Sequence, residues 1–166
     1  MIRRLSSIFL LLVVFYVAFY PSFVYGSLDV KLIFENTSDA EQFIVLLDEL
    51  RVHSKGASNN SGWVQLYIEK KSLDISKPEN YEYILTQDSR LPVGDYDQIS
   101  LSIKDSFIEI NGSPVQIMIH SPIIVQSDFS ISTETPKDLT LLLGIDMENT
   151  IEQKELMFET IRLEND

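Results

Sequence analysis

The sequence predicts an all-β domain, an antiparallel β-sandwich of about seven to nine short strands, preceded by an N-terminal hydrophobic helix that serves as signal or anchor. Two observations carry this expectation. Apolar residues recur at every second position over short runs, the period of a half-buried strand. Turn-forming clusters separate the runs, namely KGASNNSG at residues 55–62, Pro78-Glu79-Asn80 and Asn111-Gly112. No repeat, low-complexity tract or internal linker interrupts the pattern, so residues 27–166 read as a single domain.

Ahead of that domain, Arg3 and Arg4 precede an uncharged apolar run over residues 8–20, which Pro21 breaks. Compact residues at Val24 and Gly26 fit a signal peptidase site, so residues 1–26 read as a signal peptide and the mature chain would start at Ser27. The alternative is retention, because residues 5–26 are nearly long enough to span a bilayer with the arginines on the cytoplasmic side. A buried helix of a soluble protein is the third reading; the first two put residues 27–166 outside the cytoplasm, secreted or anchored.

Cysteine is absent, which excludes disulfides, thiolate metal sites, a cysteine nucleophile and a lipid-modified cysteine. The core alone must hold the domain, and a chain of about 140 residues buries enough surface to do so. Removing Arg3 and Arg4 from the 13 basic residues leaves 11 against 25 acidic ones, a formal charge of −14. Such a field repels nucleic acid and anionic headgroups, so no nucleic-acid partner is expected and membrane contact is confined to the N-terminal segment.

In chain order, Leu28, Val30, Leu32 and Phe34 alternate with polar residues and predict the first strand. The next segment is ambiguous. Ser38 and Glu41 form a capping-box pattern, and Phe43, Ile44, Leu47 and Leu50 have helical spacing, whereas a strand would line up Ile44, Leu46, Leu50 and Val52 with Asp48 as an exception. After the polar loop at residues 55–62, strands are expected at residues 63–68, 73–75 and 81–85. Further strands are expected at residues 99–103, 107–110, 115–119, 123–125, 129–131, 139–145 and 156–163. Asn111-Gly112 is a hairpin signal, although Pro114 points to a loop longer than two residues.

Extended backwards, the strand carrying Ile99, Leu101 and Ile103 would aim Asp95 and Asp97 into the core, and burying them unpaired would cost several kcal/mol each. The run Leu91-Pro92-Val93-Gly94-Asp95-Tyr96 has instead the form of a tyrosine corner, with Gly94 and Tyr96 as structural residues. A bulge near Asp97-Gln98 would then switch faces and turn both carboxylates outward. The competing reading is a calcium site formed by Asp95, Asp97, Asp146 and Glu148, all near predicted strand ends, although no D-x-D-x-D-G loop exists. Apart from that calcium, no cofactor is expected.

No catalytic motif is present. His53 and His120 lack partners at metal-ligand spacing, no G-x-S-x-G elbow occurs, and both histidines read as surface residues. With 25 acidic residues some carboxylate pair always has glycosidase separation, so that signal is empty. Tyr67, Tyr81 and Tyr83 raise the possibility of an aromatic platform for sugar, and Trp63 is expected to fill the core between the sheets as a structural residue. Asn36 and Asn59 begin the better glycosylation triplets.

The segments LDELRVHS, SGWVQL, LPVGDYDQISLSI, INGSPV and LLLGIDMENTI resemble, in order and spacing, the domain of unknown function 4382 family over residues 27–152. The most specific matches are Leu91, Gly94, Tyr96, Gln98, Ile99 and Leu101, with support from Trp63 and Asp146. The resemblance implies a secreted or surface-anchored β-sandwich of bacteria or archaea, favours strand over helix around residues 43–53, and supplies no catalytic residues. This chain departs from the pattern in lacking a lipobox cysteine and in carrying His120-Ser121-Pro122 where a proline-serine-glycine turn is expected. The expected function is a non-enzymatic extracytoplasmic module, binding or structural, whose partner is a surface glycan or protein. A calcium-stabilised adhesion domain and a secreted carboxylate-dependent hydrolase are the alternatives.

Overall fold

The structure, a computed structural model, describes residues 13–16, 24–37, 41–76 and 81–165. Most of the expected signal or anchor helix therefore lies outside the described residues, of which 13–16 form a helical turn. Among the described residues no helix is long and apolar enough to cross a membrane.

The strands are β1 (Tyr25–Glu35), β2 (Gln42–Ser54), β3 (Trp63–Leu66), β4 (Ser72–Asp74), β5 (Glu82–Pro92), β6 (Gly94–Ile110), β7 (Ser113–Ile117), β8 (Ile123–Ile131), β9 (Lys137–Ile145) and β10 (Phe158–Asn165). A short helix, α1 (Met147–Gln153), joins β9 to β10. One sheet has the order β10-β9-β1-β5; the other runs β3-β2-β6-β7, with β4 also on β2 and β8 also on β6. Side chains from both sheets form one apolar cluster, including Leu28, Leu32, Phe43, Leu101 and Leu143.

The all-β, two-sheet expectation holds, with corrections. Ten strands occur among the described residues, and β4, close to the expected residues 73–75, pairs with β2 beside β3. The expected strands at residues 99–103 and 107–110 are one strand, and so are those at 123–125 and 129–131. The sandwich is not wholly antiparallel: β1 runs parallel to β9, pairing Leu28 with Lys137 through to Glu35 with Gly144. Parallel pairing requires a long crossover, here every strand from β2 to β8, and no local pattern reports it. The Asn111-Gly112 turn has two residues, with φ of 51° and 72°, and Ile110 pairs directly with Ser113. Pro114 is accommodated because β7 is an edge strand, where a missing N–H breaks no interior ladder.

Residues 42–54 are strand, but the inward set differs from either local pattern. Phe43, Val45 and Leu47 point in, Asp48 is exposed, and Leu50 and Val52 point in again. The register of β2 on β6 breaks between Leu47 and Glu49, so Asp48 is an extra residue that switches the buried parity from odd to even.

The same device operates on β6. Tyr96 and Ile99 are both buried although they lie three positions apart, and Asp97 is the extra residue on the β2 side, where His53 pairs with Gln98 and Ser54 with Tyr96. Against β8 the register breaks at the same place. Asp95 is exposed and the Asp97 side chain is 27% exposed, so neither enters the core. Upstream, the buried Tyr96 hydroxyl donates to the Pro92 carbonyl at 2.9 Å, its ring stacks on Phe129, and burial raises its pKa. Gly94 opens the strand at φ 154°, a conformation L side chains rarely adopt. Tyr96→Phe, which deletes only the hydroxyl, is expected to cost about 1 kcal/mol in urea denaturation without changing its slope.

Candidate functional site

The best-developed polar cluster lies on the outer face of the six-stranded sheet. Leu66 and Val64 pair with Leu50 and Val52, so the intervening positions, Gln65 with Arg51 and Trp63 with His53, belong to the opposite face. Across β6 the same rows continue through Ser100 and Gln98 and reach Ile124 and Gln126 on β8. The face therefore carries a ladder in which Trp63, His53 and Gln98 are neighbours.

This corrects two expectations. Trp63 is only partly buried and does not fill the space between the sheets, because β3 is an edge strand and the parity of Leu66 turns Trp63 outward. His53, read as a surface residue, is 1% exposed. What buries it is the loop at residues 55–62, whose ends close through the Ser54 N–H and the Gly62 carbonyl at 2.9 Å. Gly62 is required at that closure: its φ is 85°, and a Cβ there would stand 2.3 Å from that of Ala57.

Within the loop, His53 Nδ1 lies 2.8 Å from Asp97 Oδ1, and Nε2 lies 3.2 Å from the Ser58 carbonyl and 3.0 Å from that of Ser61. All three partners can only accept from the ring, the carbonyls always and Asp97 when ionised. Both nitrogens must then donate, which makes His53 an imidazolium. Its pKa is raised, first by the hydrogen bond to Asp97, against an opposing effect of burial and with help from the two carbonyls. Trp63 packs over the imidazole at 4.9 Å between ring centroids and donates from Nε1 to the Asn59 carbonyl at 3.1 Å. Three loop carbonyls, those of Ser58, Asn59 and Ser61, are thus tied to two side chains, and the loop becomes one wall of a site.

That site is a cleft of about 250 Å³ floored by Trp63, Arg51 and Gln98, with Asn59 on the loop side and Pro122 and Ile124 opposite. The Arg51 guanidinium is held by Glu49. An aromatic surface beside a guanidinium and two amides offers apolar stacking and planar hydrogen bonding together.

The other predicted residues are dispersed. Tyr83 is 6% exposed, donates to the Asp74 carbonyl, meets Phe34 edge-on, and has its pKa pushed up to about 12 by burial. It is a core residue, and the Tyr81 ring is tilted 59° to it, so the two make no flat platform. Tyr67, 75% exposed, lies in a separate shallow depression with Thr86 and Arg90.

The four carboxylates considered for calcium are also apart in their roles. Asp97 holds His53, and Asp95 accepts from Ser130 Oγ at 2.6 Å. Asp146 caps α1 by accepting from the Asn149 N–H at 3.1 Å, and bonds from Asn149 lower its pKa. Glu148 is exposed in the first turn of the same helix. Among the described residues no three His, Asp or Glu side chains are placed to hold a metal. His120 is exposed and pairs with Glu155. Asn36 and Asn59 are both exposed, but the Asn36 side chain donates to Glu159 at 3.1 Å.

Arg51, Gln98 and the His53 clasp were not found from sequence. The alternation of β2 and β6 marked Arg51 and Gln98 as outward, but only strand pairing shows that they meet at Trp63.

Two sheets sharing one core, a tyrosine corner at the entry of the longest strand, and an aromatic-polar cleft on an outer sheet face define the class of protein: a small, two-sheet all-β domain. The family model described as Domain of unknown function (DUF4382) matches residues 25–159, and the chain belongs to that family. No curated protein and no solved structure matches it.

Proposed function

We propose that the protein is a non-enzymatic extracytoplasmic binding module of the cell surface, and that it takes a glycan in the Trp63 cleft. The observation that carries this reading is the placement of one partly buried indole among Arg51, Gln98 and Asn59. A sugar presents a C–H face to an aromatic ring and a rim of hydroxyls to planar donors and acceptors. The clasp supports the reading further, because a site pre-ordered by the bonds of His53 and Trp63 to its loop loses little entropy on binding. Charge narrows the ligand: with 25 acidic residues against 13 basic ones, the chain favours neutral or amino sugars over uronic acids.

Trp63 is the only tryptophan, so its fluorescence reports on the cleft directly. Titration of the chain with neutral, N-acetylated, amino and uronic oligosaccharides is expected to change that emission saturably for one of the first three classes. Trp63→Phe should retain weakened binding, followed by calorimetry, and Gln98→Ala should weaken it about tenfold, the equivalent of one lost hydrogen bond near 1.4 kcal/mol. No saturable response to any class would sink the glycan reading and leave a protein ligand as the alternative.

A further inference from the structure

We infer that the chain keeps its apolar N-terminal segment and that the Tyr25–Val93 end of the domain faces the membrane. This does not rest on the glycan reading. The inference comes from what residues 24–26 do in the fold, since cleavage after Gly26 requires them to be dispensable.

They are engaged. The Val24 carbonyl accepts from the Val93 N–H at 2.8 Å, Tyr25 pairs with Pro92, and Gly26 pairs with the fully buried Leu91. Gly26 itself is buried, and a Cβ added there would lie 2.0 Å from the Ser132 carbonyl oxygen and 2.6 Å from Ile131 Cγ2. The small residue that resembled a peptidase signal thus has a second cause, the close approach of β1 to the chain leaving β8. The family match also begins at residue 25, before the expected mature start at Ser27. Residues 25 and 26 therefore belong to the domain and not to a leader.

With Val24 in the fold, residues 5–23 are left for the bilayer, within the range of about 17–25 residues that spans a hydrocarbon core. Arg3 and Arg4 before them would stay on the cytoplasmic side. A span of residues 5–23 ends directly before Val24, and even counted from Tyr20, the last residue of the apolar run, the four positions to Val24 reach at most about 14 Å. The domain has no longer tether than that, so its Val24 end must lie against the headgroups. That end displays Tyr25 at 43% and Val93 at 46% exposure, an aromatic and an aliphatic side chain suited to the interfacial layer.

The test is the intact mass and N-terminal sequence of the full chain recovered from the membrane fraction of an exporting bacterial host. The expected result is an uncut chain of 19.0 kDa that resists alkaline extraction. A mature terminus at Ser27, or any shortened chain released in soluble form, overturns the inference. Gly26→Ala separates the two explanations of that glycine. As a peptidase residue, alanine is at least as good and would be removed with the leader, leaving the melting temperature unchanged. As a packing residue, alanine must displace the Ser132 carbonyl, and the uncut chain is expected to melt several degrees lower. Orientation is read by an environment-sensitive label at Val93→Cys or Met118→Cys in the otherwise cysteine-free chain, reconstituted in phosphatidylcholine vesicles. The emission at position 93 should be blue-shifted relative to position 118; equal emission would overturn the membrane-facing assignment.

Discussion

Val45→Asp is expected to abolish folding, whereas Ile44→Asp, one residue earlier, should leave a soluble protein. Val45 is fully buried on β2 between β4 and β6, where it pairs with Leu73 and Ser106. A carboxyl group there would lose the valine packing and be desolvated without a partner, a combined cost of roughly 5 kcal/mol. Domains of this kind have only about 5–15 kcal/mol to lose. Ile44 points to the other face and is partly exposed, so its replacement should cost about 1 kcal/mol. Soluble yield and thermal melting of the two variants measure the contrast. A helix over the same residues would reverse it, because Ile44 and not Val45 lies on the apolar helical stripe of Phe43, Leu47 and Leu50.

The second large effect is a loss of stability on the alkaline side. His53 has its pKa raised above the ordinary 6.5, so the folded state binds the proton more tightly than the unfolded chain does. The contribution is fully present below pH 6.5 and disappears as pH rises through the folded value. The charged groups around the ring explain the direction. Asp97 from β6 faces Nδ1, the loop contributes only carbonyls at Nε2, Lys55 is drawn to Asp128 at 2.6 Å, and Arg51 is held by Glu49. Wild-type protein is therefore expected to denature at lower urea concentration at pH 9 than at pH 6. His53→Gln should flatten that dependence. Truncation in His53→Ala removes hydrogen bonds from a buried charged ring and should cost roughly 2–3 kcal/mol at pH 6. Trp63 emission, which reports on the loop, should shift to the red in the same variant. A wild-type curve that is flat between the two pH values would contradict the imidazolium assignment.

The parts of the fold that could be read from the chain are those governed by neighbouring residues. β1 was legible because Leu28, Val30, Leu32 and Phe34 alternate without interruption and all four are buried. The Asn111-Gly112 turn was legible because positive φ at two successive residues suits asparagine and glycine. Strand β2 was harder, since Asp48 shifts the buried parity midway and produces a pattern that a helix can imitate. Helix α1 went unread although Asp146 and Asn149 have capping spacing, because seven residues carry too little periodicity to mark a helix.

The candidate site was less legible than the fold. Tyr83 looked like a ligand platform because tyrosine is amphipathic, and only the packing of β1 and β5 decided that its ring is core and its hydroxyl bonds to Asp74. His53 looked ordinary because nothing within metal-ligand spacing accompanies it. Its partners are Ser58 and Ser61, brought back by a loop closure, and Asp97, 44 residues away in sequence.

By itself, then, the sequence determined the all-β class, the acidic charge, the absence of thiol chemistry, the apolar character of the N-terminal run and most strand positions. These follow from composition and from period-two alternation, which are properties of adjacent residues. Tertiary structure alone decided the parallel seam between β1 and β9, the outward turn of Trp63, the burial of His53 and the commitment of Val24, Tyr25 and Gly26 to the sheet. Each of those depends on which distant strand lies alongside. Register between strands is set by the summed packing of both partners, and a single extra residue such as Asp48 or Asp97 exchanges the inner and outer faces beyond it.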